Sequence, residues 1–417
     1  MTDAPVIELE IERLGHRGDG VGSHAGVELF APFTLPGELV RGVPDQGRIE
    51  APEILRASPD RAVPPCPAFG ACGGCALQHA SDPWLAGWKR DQIMHALRAR
   101  GFDALDIRDT ITSPASSRRR ASLSGRRTKK TAILGFHARA GTEIIPLTDA
   151  CTLLRPEIIA AKDALQGIVS LLATRKSELK VAVTLTLNGL DVDVTGAAPP
   201  DGPQRLVLAR HAREAGLARL TLDGDPVSEH RLPLHRFGRA EVAPPPGGFI
   251  QATSEGEAAL VAAVREAIDK APRVADLFCG AGTFALPLAE RAEVLAVEGD
   301  LALLHALEAG WRKAGGALKR IATAQRDLFR RPMLTNELRK MTAVAIDPPR
   351  AGAEAQCREL AKPSSITRIA SVSCNPATFA RDARILADGG WRLVWIQPVD
   401  QFRWSPHLEL AAAFERD

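Results

Sequence analysis

Five short stretches of this chain carry residues that could do chemistry together. In DLFCGAGTF (276–284), Gly280 and Gly282 follow an apolar run and precede a helical pattern. Such a turn lets the backbone bend sharply and approach a ligand closely. Glu298 ends the next apolar run, where a carboxylate can accept hydrogen bonds from ribose hydroxyls. The turn is G-x-G and not the full dinucleotide fingerprint, so it suits an adenosine cofactor without a pyrophosphate; a purely structural turn reads the same way. DPPR (347–350) ends another apolar run, which sends Asp347 toward the same crevice, with two prolines stiffening the loop. SCNP (373–376) sets Cys374 between a strand-like run and a helix. A helix N-terminus lowers a thiol's pKa and favours a nucleophilic thiolate, whereas a lone cysteine is more often a small buried apolar residue. PHLE (406–409) adds His407 and Glu409, the latter a candidate general base or else an exposed strand charge.

The seven cysteines are Cys66, Cys72, Cys75, Cys151, Cys279, Cys357 and Cys374. The odd count and the lack of an export-like N-terminus argue against a disulfide framework. CPAFGACGGC (66–75) packs three thiols into one short stretch with two glycines for a tight wrap. The second pair of a zinc site is missing, and three close thiols plus a distant one also fit an iron–sulfur cluster. Cys151 is the one cysteine left before the sheet pattern begins, while Cys279 and Cys357 read as packing or surface residues.

These residues need elements to hold them. The chain has 417 residues, 45% hydrophobic and 25% charged, enough for two or three domains with a large core. No apolar run is long enough for a membrane helix, and the acidic start MTDAPVIELEIE is unlike a secretory signal, so a cytoplasmic protein is expected. Residues 1–63 hold 6 Arg against 11 Asp and Glu, a net of −5. Residues 84–140 hold 13 Lys and Arg against 4 Asp, a net of +9. That asymmetry suggests a polyanion-binding face, with RRRASLSGRRTKK (118–130) at its centre; a solvated basic surface is the plainer reading.

Residues 6–56 alternate short β-like runs with Gly-rich turns, which predicts a small antiparallel barrel. Prolines at 59, 64, 65 and 67 mark a linker. A helix is expected over 84–110, then strands at 131–136, 179–188 and 191–195. APPPGG (243–248) marks a second boundary, after which strands and helices alternate as in a mostly parallel sheet covered on both faces. The expected units are residues 1–60, a barrel that binds RNA; 61–245, a central α+β unit with the cysteines; and 246–417, the α/β unit.

DLFCGAG, DPPR, SCNP followed by TFARD, and the terminal HLE together resemble the uracil-C5 RNA methyltransferases that use S-adenosylmethionine. The cysteine cluster and the N-terminal barrel resemble the bacterial 23S rRNA-modifying members, which carry a [4Fe-4S] cluster and a TRAM- or OB-like domain. The resemblance spans nearly the whole chain. It implies a Rossmann-like seven-stranded methyltransferase domain. Cys374 would be the nucleophile and Glu409 the base. Gln251, in FIQAT, would touch cofactor and base, and Phe278, Thr283, Glu298, Asp327 and Asp347 would contact the cofactor. Cys66, Cys72, Cys75 and Cys151 would be the cluster ligands. The implied partner is RNA, above all 23S rRNA, served by a monomer without a membrane. A tRNA-specific methyltransferase and a non-catalytic iron–sulfur RNA-binding protein are the competing readings. This chain departs from the family pattern at Thr283, where Asn is common, in ALEAGWRKAG, and in DQFRWSPHLE, which replaces D-M-F-P-x-T-x-H-V-E.

Overall fold

A computed structural model describes residues 5–416. The N-terminal runs form two three-stranded antiparallel sheets. One joins Ile7–Glu10, Leu39–Gly42 and Glu53–Arg56; the other joins Arg13–Leu14, Gly20–His24 and Val27–Ala31. A two-residue turn closes the second hairpin, with Ala25 and Gly26 both at positive φ, the geometry that matches strand twist. The two sheets share one core of Leu9, Ile11, Leu29, Ala31, Val40 and Ile49. The two sheets are joined by backbone hydrogen bonds from Phe30 N–H to Gly47 O at 3.0 Å and from Ile49 N–H to Phe30 O at 2.8 Å.

The central segment builds a seven-stranded sheet from Ile144–Pro146, Ala132–His137, Arg120–Arg127, Glu178–Thr186, Gly189–Thr195, Arg219–Leu222 and Asp225–Glu229, in that order. The helices Lys162–Leu172 and Gly202–Glu214 share its apolar core. Asp201 caps the second helix with a capping box closed by Gln204, which satisfies two N-terminal backbone donors.

The C-terminal residues form an eight-stranded sheet in the order Ile321–Gln325, Glu293–Glu298, Arg273–Leu277, Ala343–Ile346, Arg368–Ser373, Glu409–Glu415, Arg392–Asp400 and Ile111–Thr112. One apolar cluster, including Leu260, Leu286 and Leu307, covers one face; another, including Ile93, Phe379 and Leu386, covers the other. Seven strands are the expected ones. The eighth, Ile111–Thr112, comes from the central segment and pairs parallel with Val399 and Asp400. The helix Asp82–Arg98 also packs against this sheet through Ile93 and Leu97. It stops short of residue 110 because Gly101 turns to φ 77°, a common helix terminator. The TFALPLAERA helix shrinks to Ala285–Leu288, with Pro287 unable to supply a backbone donor. No helix among the described residues is long and apolar enough to cross a membrane.

Candidate active site

Strand direction assembles the site. Arg273–Leu277 pairs parallel with both Glu293–Glu298 and Ala343–Ile346, so the strand order reverses there and a crevice opens beyond the strand ends. Phe278, Glu298, Asp347 and Cys374 each follow or end a parallel strand, so all four emerge at this edge. Glu409 reaches the same edge by another route. Glu409–Glu415 runs antiparallel to both neighbours, with Leu410 opposite Ser373. Its first residue therefore stands where the neighbouring parallel strand finishes.

A cavity of about 720 Å³ occupies the crevice. Gln251, Phe278, Thr283, Glu298, Asp327, Asp347, Cys374 and Glu409 all line it. His407 does not; it is exposed and its backbone N–H donates to Ser405 Oγ at 3.2 Å. Sequence reasoning passed over Phe249, Phe329 and Arg350, which also line the cavity. Arg350 lies in the DPPR motif already singled out. The phenylalanines carry no reactive group, and only their places beside Gln251 and Asp327 hint at them.

The glycine turn is shaped for a ligand. Gly280 has φ 55°, and a Cβ there would enter open space. Gly282 has φ 100°, and a Cβ would sit 2.8 Å from Leu286 Cδ1, so the turn has no room for a side chain at that point. Glu298 accepts from the backbone N–H of Gly280 at 3.0 Å, Gly299 at 2.6 Å and Asp300 at 3.1 Å, which fixes its carboxylate at the rim. Asp327 accepts from Phe329 N–H at 3.0 Å. Phe278 holds φ 62°, a strained value for a bulky residue, and its ring lies 5.3 Å from that of Phe329. An aromatic pair, glycine backbone and rim carboxylates form a donor and acceptor set that fits an adenosine cofactor.

The electrostatics of Cys374 run against the sequence expectation. Asn375 caps the following helix, Pro376–Asp388, by accepting from Ala377 N–H, yet the thiol is not lowered. Burial pushes Cys374 up to about 11, and the carboxyls of Glu409 and Asp347 push the same way, with Arg350 opposing. Glu409 is raised by burial first and Asp347 second, while Gln401 lowers it through a hydrogen bond. Asp347 is raised by burial as well. Beneath them Asp276 is fully buried with neither carboxylate oxygen hydrogen-bonded by a side chain, and burial and Asp347 raise it well above the usual range. Burial and mutual repulsion raise all three carboxyls, which disfavours their carrying three charges together.

The cysteines gather but do not converge. Cys66, Cys72 and Cys151 each act electrostatically on Cys75, which burial pushes up to about 12. Cys72 is raised by burial too. Gly73 donates its N–H to His137 O at 2.8 Å, and a Cβ there would meet that oxygen at the same distance; this is the tight wrap the glycines allow. Yet among the described residues no three Cys, His, Asp or Glu side chains are arranged to hold a metal ion. Cys66, Cys72, Cys75 and Cys151, the expected ligands, are each half-buried in this one neighbourhood.

The basic stretch is also different from its sequence reading. Arg119 pairs with Glu257, with both side chains largely buried. Arg120 donates to Ile250 O at 2.8 Å and Arg118 to Arg120 O at 3.1 Å. Arg119 and Arg120 fasten the central sheet to the residues before the C-terminal sheet. Arg127, Lys129 and Lys130 remain exposed.

The chain is similar in sequence and fold to known RNA methyltransferases. The family model described as tRNA (Uracil-5-)-methyltransferase matches residues 311–417. An uncharacterized RNA methyltransferase of Brucella melitensis is 43% identical over 416 residues, covering 100% of this chain and 99% of the relative. The 23S rRNA (uracil(1939)-C(5))-methyltransferase RlmD of Shewanella amazonensis is 32% identical, covering 98% of this chain and 95% of the relative. The crystal structure of Pyrococcus abyssi tRNA (uracil-54, C5)-methyltransferase with S-adenosyl-L-homocysteine shares the fold, with a TM-score of 0.74 and 21% identity, covering 98% of this chain and 99% of that one. The chain belongs to the S-adenosylmethionine-dependent RNA (uracil-5-)-methyltransferase family.

Proposed function

We propose that the protein methylates C5 of one uridine in 23S rRNA through a covalent adduct with Cys374. One observation carries the reading: Cys374 and Glu409 line the same cavity as the Gly280 turn and Glu298. A thiol and a carboxyl facing a nucleoside-cofactor cradle suit carbon methylation; amine methylation needs no thiol. The 32% identity to the Shewanella enzyme supports 23S rRNA, and a uridine at position 1939 is the first site to test.

S-adenosylmethionine, when bound, supplies an electrophilic methyl group. The residues supply the rest. Cys374 adds as the thiolate: its Sγ electron pair forms the bond to uracil C6, and the electrons of the C5–C6 double bond move toward C5 and O4. This makes a poor carbon nucleophile into an enolate. C5 takes the methyl group. Glu409 then removes the C5 proton, the double bond re-forms, and Cys374 leaves as thiolate. The target base must leave its stack to enter the cavity. Gln251, Phe278, Thr283, Glu298, Asp327 and Asp347 are assigned to cofactor contact, Gln251 also to the base.

The same reading divides the chain into an RNA-binding unit (1–60), a central unit (61–245) and a methyltransferase unit (246–417), acting as a cytoplasmic monomer. It assigns Cys66, Cys72, Cys75 and Cys151 to a [4Fe-4S] cluster in a structural role. The donor chemistry fits, since four thiolates complete such a cluster. Mapping 5-methyluridine in rRNA and tRNA from a strain lacking the protein tests the target. Loss at one 23S position is expected; loss only in tRNA would overturn the rRNA assignment.

A further inference from the structure

A second cavity, of about 810 Å³, lies between the central sheet and the helix Ser254–Ile268. Thr283 lines both cavities, so the glycine turn is the partition between them. Their charges are opposite. The first is lined by Glu298, Asp327, Asp347 and Glu409 against Arg326 and Arg350, which suits a cofactor carrying a sulfonium cation. The second is lined by Arg119, Arg155, Arg236 and Arg265, with Glu257 as its one acid among the described residues.

The placement of ion-pair partners keeps that charge on the cavity. Arg119 neutralises Glu257 at 2.5 Å. Arg155 pairs with Glu157, Arg236 with Glu241 and Arg265 with Glu290, and none of those three glutamates lines the cavity. The Arg155 and Arg236 side chains are 36% and 63% exposed. Ion pairs this open are weak, whereas a phosphate takes charge-assisted hydrogen bonds from a guanidinium.

His235 adds a different kind of group. It lines the cavity, is 5% exposed, and makes no side-chain hydrogen bond among the described residues. A buried polar ring without a partner is costly unless something else meets it. Burial first, then Arg119 and Arg219, hold His235 down to about 3. The ring is therefore neutral near pH 7, with one nitrogen to donate and one to accept. Exposed Leu187 lines the same cavity, and the Phe237 ring lies near-parallel to His235 at 6.5 Å. Cations, a neutral donor–acceptor ring and an apolar wall together suit one nucleotide. The volume fits, since small-molecule sites run from about 300 to 1,000 Å³.

We propose that this second cavity binds one nucleotide of the RNA substrate outside the target uridine, with its phosphate at Arg155 and Arg236 and its base against Leu187 and His235. The inference rests on the RNA methyltransferase reading above and adds a second grip on the strand. Because the two cavities share Thr283, one short strand can occupy both.

The test measures RNA binding by the full-length protein across a salt series. It uses a transcript of the 23S rRNA segment around position 1939 and a tRNA transcript. The double variant Arg155→Gln with Arg236→Gln removes two exposed cations. On the RNA that wild type binds more tightly, the slope of log Kd against log salt should fall by about 1 to 2, with the rate at saturating RNA unchanged. Arg312→Gln with Arg392→Gln, an exposed pair outside the cavity, removes the same charge and should leave the slope alone. His235→Phe keeps a ring and removes both nitrogens, so affinity should fall about two- to tenfold at an unchanged slope. An unmoved slope in the double variant, or an equal change in the control pair, overturns the proposal. Titration with AMP and UMP separates the strand from a free nucleotide. Nucleotide binding that the double variant loses, with RNA binding intact, overturns the strand assignment. Binding of the 1939 segment without its methylation removes the target reading alone, and the slopes still decide this inference. A wild-type protein that binds neither transcript removes both.

Discussion

Lys89 Nζ lies 2.6 Å from Asp400 Oδ1, and the two side chains are 0% and 2% exposed. Lys89 also donates to Phe402 O at 3.3 Å, and Phe402 N–H donates to Asp400 at 3.0 Å. The pair thus ties the helix Asp82–Arg98 to the strand end that carries Gln401. Breaking one side of such a pair strands a buried charge, at a cost of about 3–5 kcal/mol. Lys89→Met should lower the unfolding free energy by that order in urea titrations. The double variant Lys89→Met with Asp400→Asn should recover much of the loss. A single variant within about 0.5 kcal/mol of wild type, the range of ordinary surface substitutions, would show that the charges are not sealed.

The free enzyme should show a sluggish nucleophile. With Cys374 pushed up to about 11, the thiolate is scarce at neutral pH, and only the thiolate reacts. Its fraction rises tenfold for each pH unit below that value. Alkylation of the Cys374 peptide by iodoacetamide, followed by mass spectrometry, should therefore accelerate about tenfold per unit from pH 7 to 10. A plateau near pH 7 would mean a lowered thiol, as the helix N-terminus alone suggests.

That reversal marks where sequence reading ends. DLFCGAG, DPPR and SCNP are legible because each closes an apolar run, and parallel strands deliver their ends to one edge. Glu409 is legible as a carboxylate, but its place beside Cys374 depends on an antiparallel last strand, and strand direction leaves no local pattern. The Cys374 thiol is raised first by burial and then by Glu409 and Asp347, groups that other elements bring beside it. Arg119 and Arg120 look like free charge because their partners, Glu257 and the Ile250 carbonyl, lie far along the chain.

Cys374→Ala and Glu409→Gln should separate adduct formation from release. The first should bind RNA and cofactor yet give neither product nor covalent complex. The second should still form the adduct and accept the methyl group, then stall because the C5 proton cannot leave. Its signature is a denaturation-resistant protein–RNA complex carrying the labelled methyl group. Free turnover near the wild-type rate in Glu409→Gln would place the base elsewhere. Absence of any methyl transfer would instead assign Glu409 to positioning uracil before addition.

The cysteine segment touches the loop before Glu409, so its loss should reach the active site by a defined path. Ala76 and Leu77 N–H, directly after Cys75, both donate to Trp404 O at 2.8 and 3.0 Å. Trp404 is 5% exposed and holds φ 59°, a strained backbone kept in place by its surroundings. Protein purified without oxygen should be brown and contain about four iron atoms per chain; stoichiometric zinc without iron would reject the cluster. Cys75→Ser should abolish the iron, and the freed segment should loosen its hold on Trp404. Amide hydrogen exchange should then rise at Ala76 and Leu77 and along the 401–408 loop, with a drop in RNA affinity. Exchange confined to the cysteine segment, with normal RNA binding, would show that the cluster serves neither the loop nor the RNA.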